Sequence, residues 1–253
     1  MPRSLAAVFA HPDDETFSIA GTVALLADAG VSCSLYCATD GDAGRSSAVT
    51  VSSREELGRL RRAELMAAAR IIGFDPVVAT GYPDGALGTV DGDELVGHIV
   101  QFLRARRADV VVTFGPEGAP NTHADHRALS RAATAAFFLA ALPTAYPEQL
   151  VGNGGALTTH RAARLYYVSW DPPAPGDTVG IRKKPAAHAV PATARLDVRA
   201  ALARKREAFM AHATQRDHLA EFEKLALLPD ELYALAAGTP QPAAIVDDLF
   251  AGL

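Results

Sequence analysis

The chain has 253 residues, 49% of them apolar and 21% charged, and carries a net charge of −5. That length suits one large domain, or a domain with a small appendage, and buries a core without covalent staples. The negative balance argues against a nucleic-acid partner, which needs a basic stripe to meet phosphates, and lends no support to an anionic membrane surface as partner.

The first residues, Met1-Pro2-Arg3-Ser4, lead into no signal-peptide core, and no apolar run is long enough to span a bilayer, so a cytoplasmic protein is expected. Leu5 to Ala10 reads as a buried strand that stops at His11-Pro12-Asp13-Asp14-Glu15. Thr16 to Ala29 has an apolar stripe of helical spacing, closed by Gly30. Val31 to Thr39 is a second strand. It holds both cysteines, Cys33 and Cys37, about 13 Å apart along the strand by the rise per residue, too far to bridge. They are expected as buried thiols in a reducing compartment. The strand ends at Asp40-Gly41-Asp42-Ala43-Gly44, and the Ser- and Thr-rich residues 45–52 read as a mobile loop.

Arg54 to Ile72 is a long helical pattern stopped by Gly73. Pro76 to Thr80 is a third strand, followed by the loop Gly81-Tyr82-Pro83-Asp84-Gly85. A helix over Asp93 to Arg106 leads to a fourth strand, Asp109 to Phe114, then the polar loop Gly115 to His126 and an Ala-rich helix over Arg127 to Leu142. Beyond that the pattern loosens. Residues 143–163 read as a long loop, Arg164 to Trp170 as a strand and Pro172 to Pro185 as a proline-rich connection. Ala187 to Asp197 is a further strand, Val198 to His212 a helix, and short helices are expected to the end. Continuous apolar strands alternating with helices predict an α/β fold: a mostly parallel sheet with helices on both faces. The expectation is a single domain over 1–253, with its core over about 4–142 and a loop-rich part over about 143–253.

In an open parallel sheet, ligands bind beyond the carboxyl ends of the strands. Four such ends carry polar clusters here: His11 to Glu15, Asp40 to Gly44, Asp84-Gly85 and Asn121 to His126. Three adjacent carboxylates at 13–15 repel one another unless a cation lies among them, and His11 adds a nitrogen ligand, a mixture that suits zinc. An acidic helix N-terminus with an incidental histidine is the plainer alternative. In His123-Ala124-Asp125-His126 two histidines three apart share a helix face, and Asp125 is placed to orient an imidazole. A surface histidine pair with a capping Asp125 is the alternative there.

Together these motifs resemble the PIG-L or LmbE-like zinc-dependent N-acetylglucosaminyl deacetylases. Ala10-His11-Pro12-Asp13-Asp14-Glu15 is similar to the family's A-H-P-D-D-E, and His123-Ala124-Asp125-His126 to its H-P-D-H, with Ala124 in place of proline. Thr39 to Gly44 resembles T-D-G-E-A-G, Arg61-Arg62-Ala63-Glu64 an R-x-x-E helix, Tyr82 to Gly85 a D-G loop, and Lys205 with Ala211 to Gln215 a K…A-H-x-T-Q helix. The resemblance implies a Rossmann-like frame and a metal, Zn2+ by default with Fe2+ or another divalent ion as the alternative. His11, Asp14 and His126 would be its ligands. Asp13 would be the general base on the metal-bound water, and His123, with Asp125 in support, would polarise the carbonyl or stabilise the oxyanion and protonate the leaving amine. Arg61 and Asp84 would bind substrate. Where some relatives place an aromatic two residues before this histidine, this chain has Asn121.

The implied reaction removes an acetyl group from a small N-acetylglucosamine-type conjugate by hydrolysis. The family's substrates include thiol-cofactor precursors, chitobiose-like sugars and glycosylated natural products. An amidase acting on a thiol-sugar conjugate or another N-acyl molecule is the alternative. The Ala211 to Gln215 helix looks like the mycothiol branch, for which the chain is short. A metal phosphoesterase would want two adjacent metals, and a nucleotide-binding module would want G-x-G-x-x-G after the first strand, which is absent. Roles for His212 and for loops 45–52 and 143–160 stay open, as does assembly into a homo-oligomer. His98, His160, His188 and His218 read as surface or structural, and Trp170 as core.

Overall fold

The computed structural model describes residues 3–151, 157–170 and 191–253. The glycines at 152, 154 and 155, the proline-rich connection over 172–185, His188 and residues 187–190 of the expected later strand lie outside the described residues.

Seven strands form one sheet in the order β3-β2-β1-β4-β5-β7-β6. They are β1 (Ser4–Phe9), β2 (Ser32–Thr39), β3 (Val77–Tyr82), β4 (Val110–Phe114), β5 (Arg164–Ser169), β6 (Ala194–Asp197) and β7 (Asp230–Gly238). The first five run parallel; β7 is antiparallel to both β5 and β6. The expected mostly parallel α/β sheet is therefore present, with an antiparallel edge. The apolar run Leu5 to Ala10 is fully buried because β2 and β4 flank it and helices cover both faces.

The helices are α1 (Asp14–Ser18), α2 (Ala20–Asp28), α3 (Arg54–Ile72), α4 (Gly92–Arg106), α5 (Ala124–Leu139), α6 (Leu202–Ala211) and α7 (Leu219–Leu225). One group, α2, α3 and α6, packs together; α4 and α5 pack against each other and against β1. The chain winds outward through β1, β2 and β3, then returns to lay β4 on the other side of β1. That reversal opens a crevice between the carboxyl ends of β1 and β4, where ligands bind in sheets of this kind.

Three elements differ from expectation. The single helix over Thr16 to Ala29 is two helices broken at Ile19, whose φ is −146. The break leaves the N–H groups of Gly21 and Thr22 free of intrahelical partners, and both donate to the carboxylate of Glu231, at 2.9 and 2.8 Å. The run Leu232 to Ala237, helical by propensity, is strand β7, because β5 and β6 pair with both its edges and override local preference. Of the strand expected over Ala187 to Asp197, residues 191–197 are described, and only Ala194–Asp197 is strand.

In loop 143–163, Arg104 reaches across from α4 to bond the carbonyls of Ala140, Leu142, Ala145 and Tyr146 and the side chain of Gln149. Loop 45–52 is tied down at Ser47, whose N–H and hydroxyl both donate to Asp217. Both cysteines are free and buried. Among the described residues no helix is long and apolar enough to cross a membrane.

Candidate metal centre and active site

β1 ends at Phe9, and Ala10-His11-Pro12 lead to Asp13 at the N-cap position of α1, where its side chain makes no capping bond, and to Asp14, which opens the helix. On the neighbouring strand end, His123 caps α5, with Asp125 and His126 in its first turn. The two loops face each other across the crevice. His126 Nε2 lies 3.3 Å from His11 Nδ1 and 3.2 Å from Asp14 Oδ1, and His11 Nδ1 lies 3.4 Å from Asp14 Oδ2. Two ligands at about 2.05 Å from a tetrahedral metal stand roughly 3.3 Å apart, so each of these pairwise approaches has the spacing of two ligands on one ion, Asp14 meeting the two histidines through different oxygens. All three side chains are buried or nearly so, at 9%, 8% and 3% exposure for His11, Asp14 and His126.

The far side of each ring explains its orientation. His11 Nε2 faces two carboxylates, Asp125 at 3.2 Å and Asp84 at 3.1 Å, and so carries the ring proton, leaving the Nδ1 lone pair aimed at His126 and Asp14. The His126 ring stacks on Phe114, with centroids 3.9 Å apart and planes 5° apart, and its Nδ1 has no hydrogen-bond partner. Around a cation, with the His11 proton on Nε2 and the His126 proton on Nδ1, two nitrogen lone pairs and a carboxylate would converge with no donor among them. Such a cluster of acceptors is repulsive when dry and favourable around a divalent cation, so these residues fit a metal.

The electrostatics follow. Burial opposes ionisation of Asp14, yet His126 and His11 outweigh it and hold the carboxyl far below the usual range. Burial lowers His11, but Asp125, Asp14 and Asp84 together push it well above its ordinary value in the absence of a cation. For Asp84 burial is likewise outweighed by His11, leaving it at about 2. Asp13 goes the other way, pushed up to about 6 by burial, with Arg61 pulling it down and Asp14 adding to the rise.

The Asp13 carboxylate meets Arg61, with Oδ2 3.3 Å from Nη2. Arg61 is buried and also donates to the carbonyls of Gly41 and Pro12. The glycines of Asp40 to Gly44 make room for it. A Cβ at Gly41 would sit 2.4 Å from the guanidinium carbon, and one at Gly44 would sit 2.6 Å from Nη1. Three of the recognisable motifs are thus one contact set.

The structure brings Asp13, His123, Asp125, His11, Asp14, His126, Arg61 and Asp84 into one crevice. Asp125 donates its N–H to His123, and its carboxylate accepts from His11, from Gly85 N–H at 2.7 Å and from Leu87 N–H at 3.0 Å. Arg61 and Asp84 were expected to bind substrate. Arg61 Nη1 and Nη2 meet the carbonyls of Gly41 and Pro12 and the carboxylate of Asp13, while its buried Nε has no hydrogen-bond partner. Asp84 takes His11 on one oxygen and Ala43 N–H on the other.

His123 is half-buried, and its Nδ1 accepts from Asp125 N–H at 3.2 Å, which leaves Nε2 as the ring's donor. Burial, then the neighbouring His11 and His126, lowers its affinity for a second proton. Asn121 is exposed and accepts the His123 N–H through Oδ1.

Sequence reasoning gave Glu15 no individual role and left His212 open. They pair at 2.7 Å beneath the loop. Glu64, three residues after Arg61, takes both the N–H and the hydroxyl of Thr214, fastening the Ala211 to Gln215 segment to α3. The signal was present as the R-x-x-E and A-H-x-T-Q motifs, but not the fact that they meet.

The sequence profile of PIG-L, described as GlcNAc-PI de-N-acetylase, matches residues 6–137. The chain belongs to this family. Across nearly its whole length it is also similar to a Rhodococcus erythropolis protein named 1D-myo-inositol 2-acetamido-2-deoxy-alpha-D-glucopyranoside deacetylase, at 30% identity over 99% of this chain and 98% of the relative. That alignment spans 294 positions against 253 residues here, so the relative carries insertions that this PIG-L protein lacks. A probable N-acetyl-alpha-D-glucosaminyl L-malate deacetylase 2 of Bacillus cereus is 32% identical over 65% of this chain and 73% of its own. Among solved structures, the N,N'-diacetylchitobiose deacetylase of Pyrococcus horikoshii superposes with a TM-score of 0.71, covering 92% of this chain and 84% of its own at 21% identity, a likeness of fold. Amide hydrolysis is the chemistry that the named PIG-L relatives share.

Proposed function

We propose that the protein hydrolyses the N-acetyl group of a small N-acetylglucosamine conjugate, with His11, Asp14 and His126 holding one Zn2+ ion. The observation that carries this is the pairwise approach of the His11, Asp14 and His126 ligand atoms to 3.2–3.4 Å, with the neighbouring Asp13 paired to Arg61. Imidazole and carboxylate ligands suit zinc among divalent ions. When bound, the metal supplies Lewis acidity, polarising an amide carbonyl and letting water ionise near pH ~7.

The chain's own groups supply the rest. Asp13 is not spent on the metal, so its carboxylate has lone pairs to take the proton from the attacking water. His123 Nε2–H, fixed by the bond at Nδ1, donates to the carbonyl oxygen as negative charge develops there. A neutral ring in that state makes a good donor but a poor proton source, so Asp13 carries the proton on to the departing amine. A C–O bond forms, the amide C–N bond breaks, and acetate and a free amino sugar leave. The relatives named for glucosamine linked to inositol and to malate support a small polar aglycone.

The test is acetate release from both of those N-acetylglucosaminyl compounds by the zinc-loaded protein. Asp13→Ala is expected to keep its metal and lose about 10²–10⁴-fold in turnover; His126→Ala is expected to lose the metal. Unchanged turnover in the first, or full metal content in the second, contradicts these assignments.

A further inference from the structure

Asp13 sits at φ 116 and ψ −27, a left-handed conformation that costs a non-glycine residue about 1–3 kcal/mol and persists only where the surroundings impose it. Its carbonyl accepts from Thr16 Oγ1 at 2.7 Å and from the N–H groups of Thr16 and Phe17 at 2.9 and 3.2 Å, its carboxylate meets Arg61, and its N–H donates to Glu15 Oε2 at 3.0 Å, the side-chain bond that holds its backbone from the N-terminal side.

The last of these reaches deepest into the protein. Glu15 is 1% exposed, and its second oxygen, Oε1, meets His212 Nε2 at 2.7 Å. His212 is fully buried at the end of α6, 197 positions further along the chain. Its Nδ1 has no hydrogen-bond partner, so the side-chain polar bond of this imidazole goes to Glu15. A histidine kept merely to fill space would leave its desolvated nitrogens as a pure cost, which an apolar side chain of similar size avoids.

We infer that Glu15 and His212 are positioning residues for the reaction: through them helix α6 fixes the strained backbone of Asp13 and so aims its carboxylate. This rests on the reading of Asp13 as the base. Neither residue touches substrate; both act through Asp13. A misplacement of about 1 Å is enough to cost roughly 10²-fold in rate, so a relay of two hydrogen bonds is sufficient to matter.

The experiment uses the zinc-loaded full chain, with acetate release from the inositol-linked N-acetylglucosamine compound. Glu15→Ala and His212→Leu are expected to lower kcat about 10²-fold while KM and zinc per chain stay near wild type, the pattern of an interaction made in the transition state. Glu15→Gln and His212→Gln should recover most of that loss, because an amide oxygen still accepts the Asp13 N–H and an amide N–H still reaches Glu15. They also fold where the harsher variants do not. A crystal structure of His212→Leu is expected to show Asp13 outside the left-handed region or its carboxylate displaced. Wild-type kcat in Glu15→Ala and His212→Leu overturns the relay, as does zinc loss that accompanies the activity loss. A His212→Leu crystal in which both the backbone and the carboxylate of Asp13 are unchanged overturns it whatever the substrate. Turnover retained by Asp13→Asn would sink the base assignment instead, and the crystal result decides the backbone relay independently.

Discussion

His11 shows how one residue acquires a function from its surroundings. Its Nε2 is claimed by Asp125 and Asp84, so its Nδ1 has nothing to do but face Asp14 and His126. At this scale the cluster's membership was legible: three consecutive carboxylates behind a histidine are hard to explain as a turn. The partners were not. Asp125 bonds His11, 114 positions away, and spacing along the chain carries no information on that distance. The same holds for the glycines of Asp40 to Gly44, which read as a turn but also leave space for Arg61. Gly44 has an ordinary φ, so the effect of a side chain there is steric alone. Gly44→Ala should push Arg61 off Asp13 and lower kcat by about 10²-fold with metal content unchanged. A crystal structure with Arg61 undisturbed and full activity would show that the close approach is incidental.

At the scale of elements, the strands and long helices of the first half were readable because each is set by local signals: an apolar run, a cap, a stopping glycine. Ser53 accepting from Glu56 N–H and Gly73 in the left-handed region bound α3 where the sequence places it. What was not readable is held by pairing across the chain. β7 looks helical in isolation and becomes a strand between β5 and β6. Its Glu231 caps α2, accepts Lys205 Nζ at 2.5 Å and takes the hydroxyl of Tyr233 at 3.0 Å, all without contact with water. Removing one partner leaves a buried charge uncompensated, so Lys205→Ala is expected to cost about 3–5 kcal/mol, read from denaturant midpoints.

Burial works against ionisation of Glu231, but Lys205 and the donors of Thr22 hold its carboxyl below the ordinary 4.5. A depressed carboxylate contributes stability at pH above its unfolded value and loses it as the pH falls through the folded one. Stability should therefore drop below about pH 4.5, and Glu231→Gln should flatten that part of the profile while lowering the neutral plateau. An acid limb unchanged by that substitution would place the sensitivity elsewhere.

For the whole molecule, the topology decides where chemistry happens. The return from β3 to β4 beside β1 opens the crevice, and the parallel arrangement puts every polar loop at the same rim. The C-terminal part, the least regular in sequence, covers the free edge of β5 with β7 and β6 and delivers His212 beneath the catalytic loop. A chain ending before residue 191 would bare that edge, along with the buried Leu165, Tyr166 and Val168. It is expected to aggregate on expression, as exposed apolar edges do. A monodisperse truncated protein on size exclusion would show that the sheet closes without it.

The most direct measurement is a zinc titration of the metal-stripped protein with acetate release as the readout. Activity should be absent at the start, rise in proportion to added Zn2+ and stop at one equivalent per chain. Hydrolysis by the metal-free chain, or a plateau that arrives only at two equivalents, would contradict a single centre built from His11, Asp14 and His126.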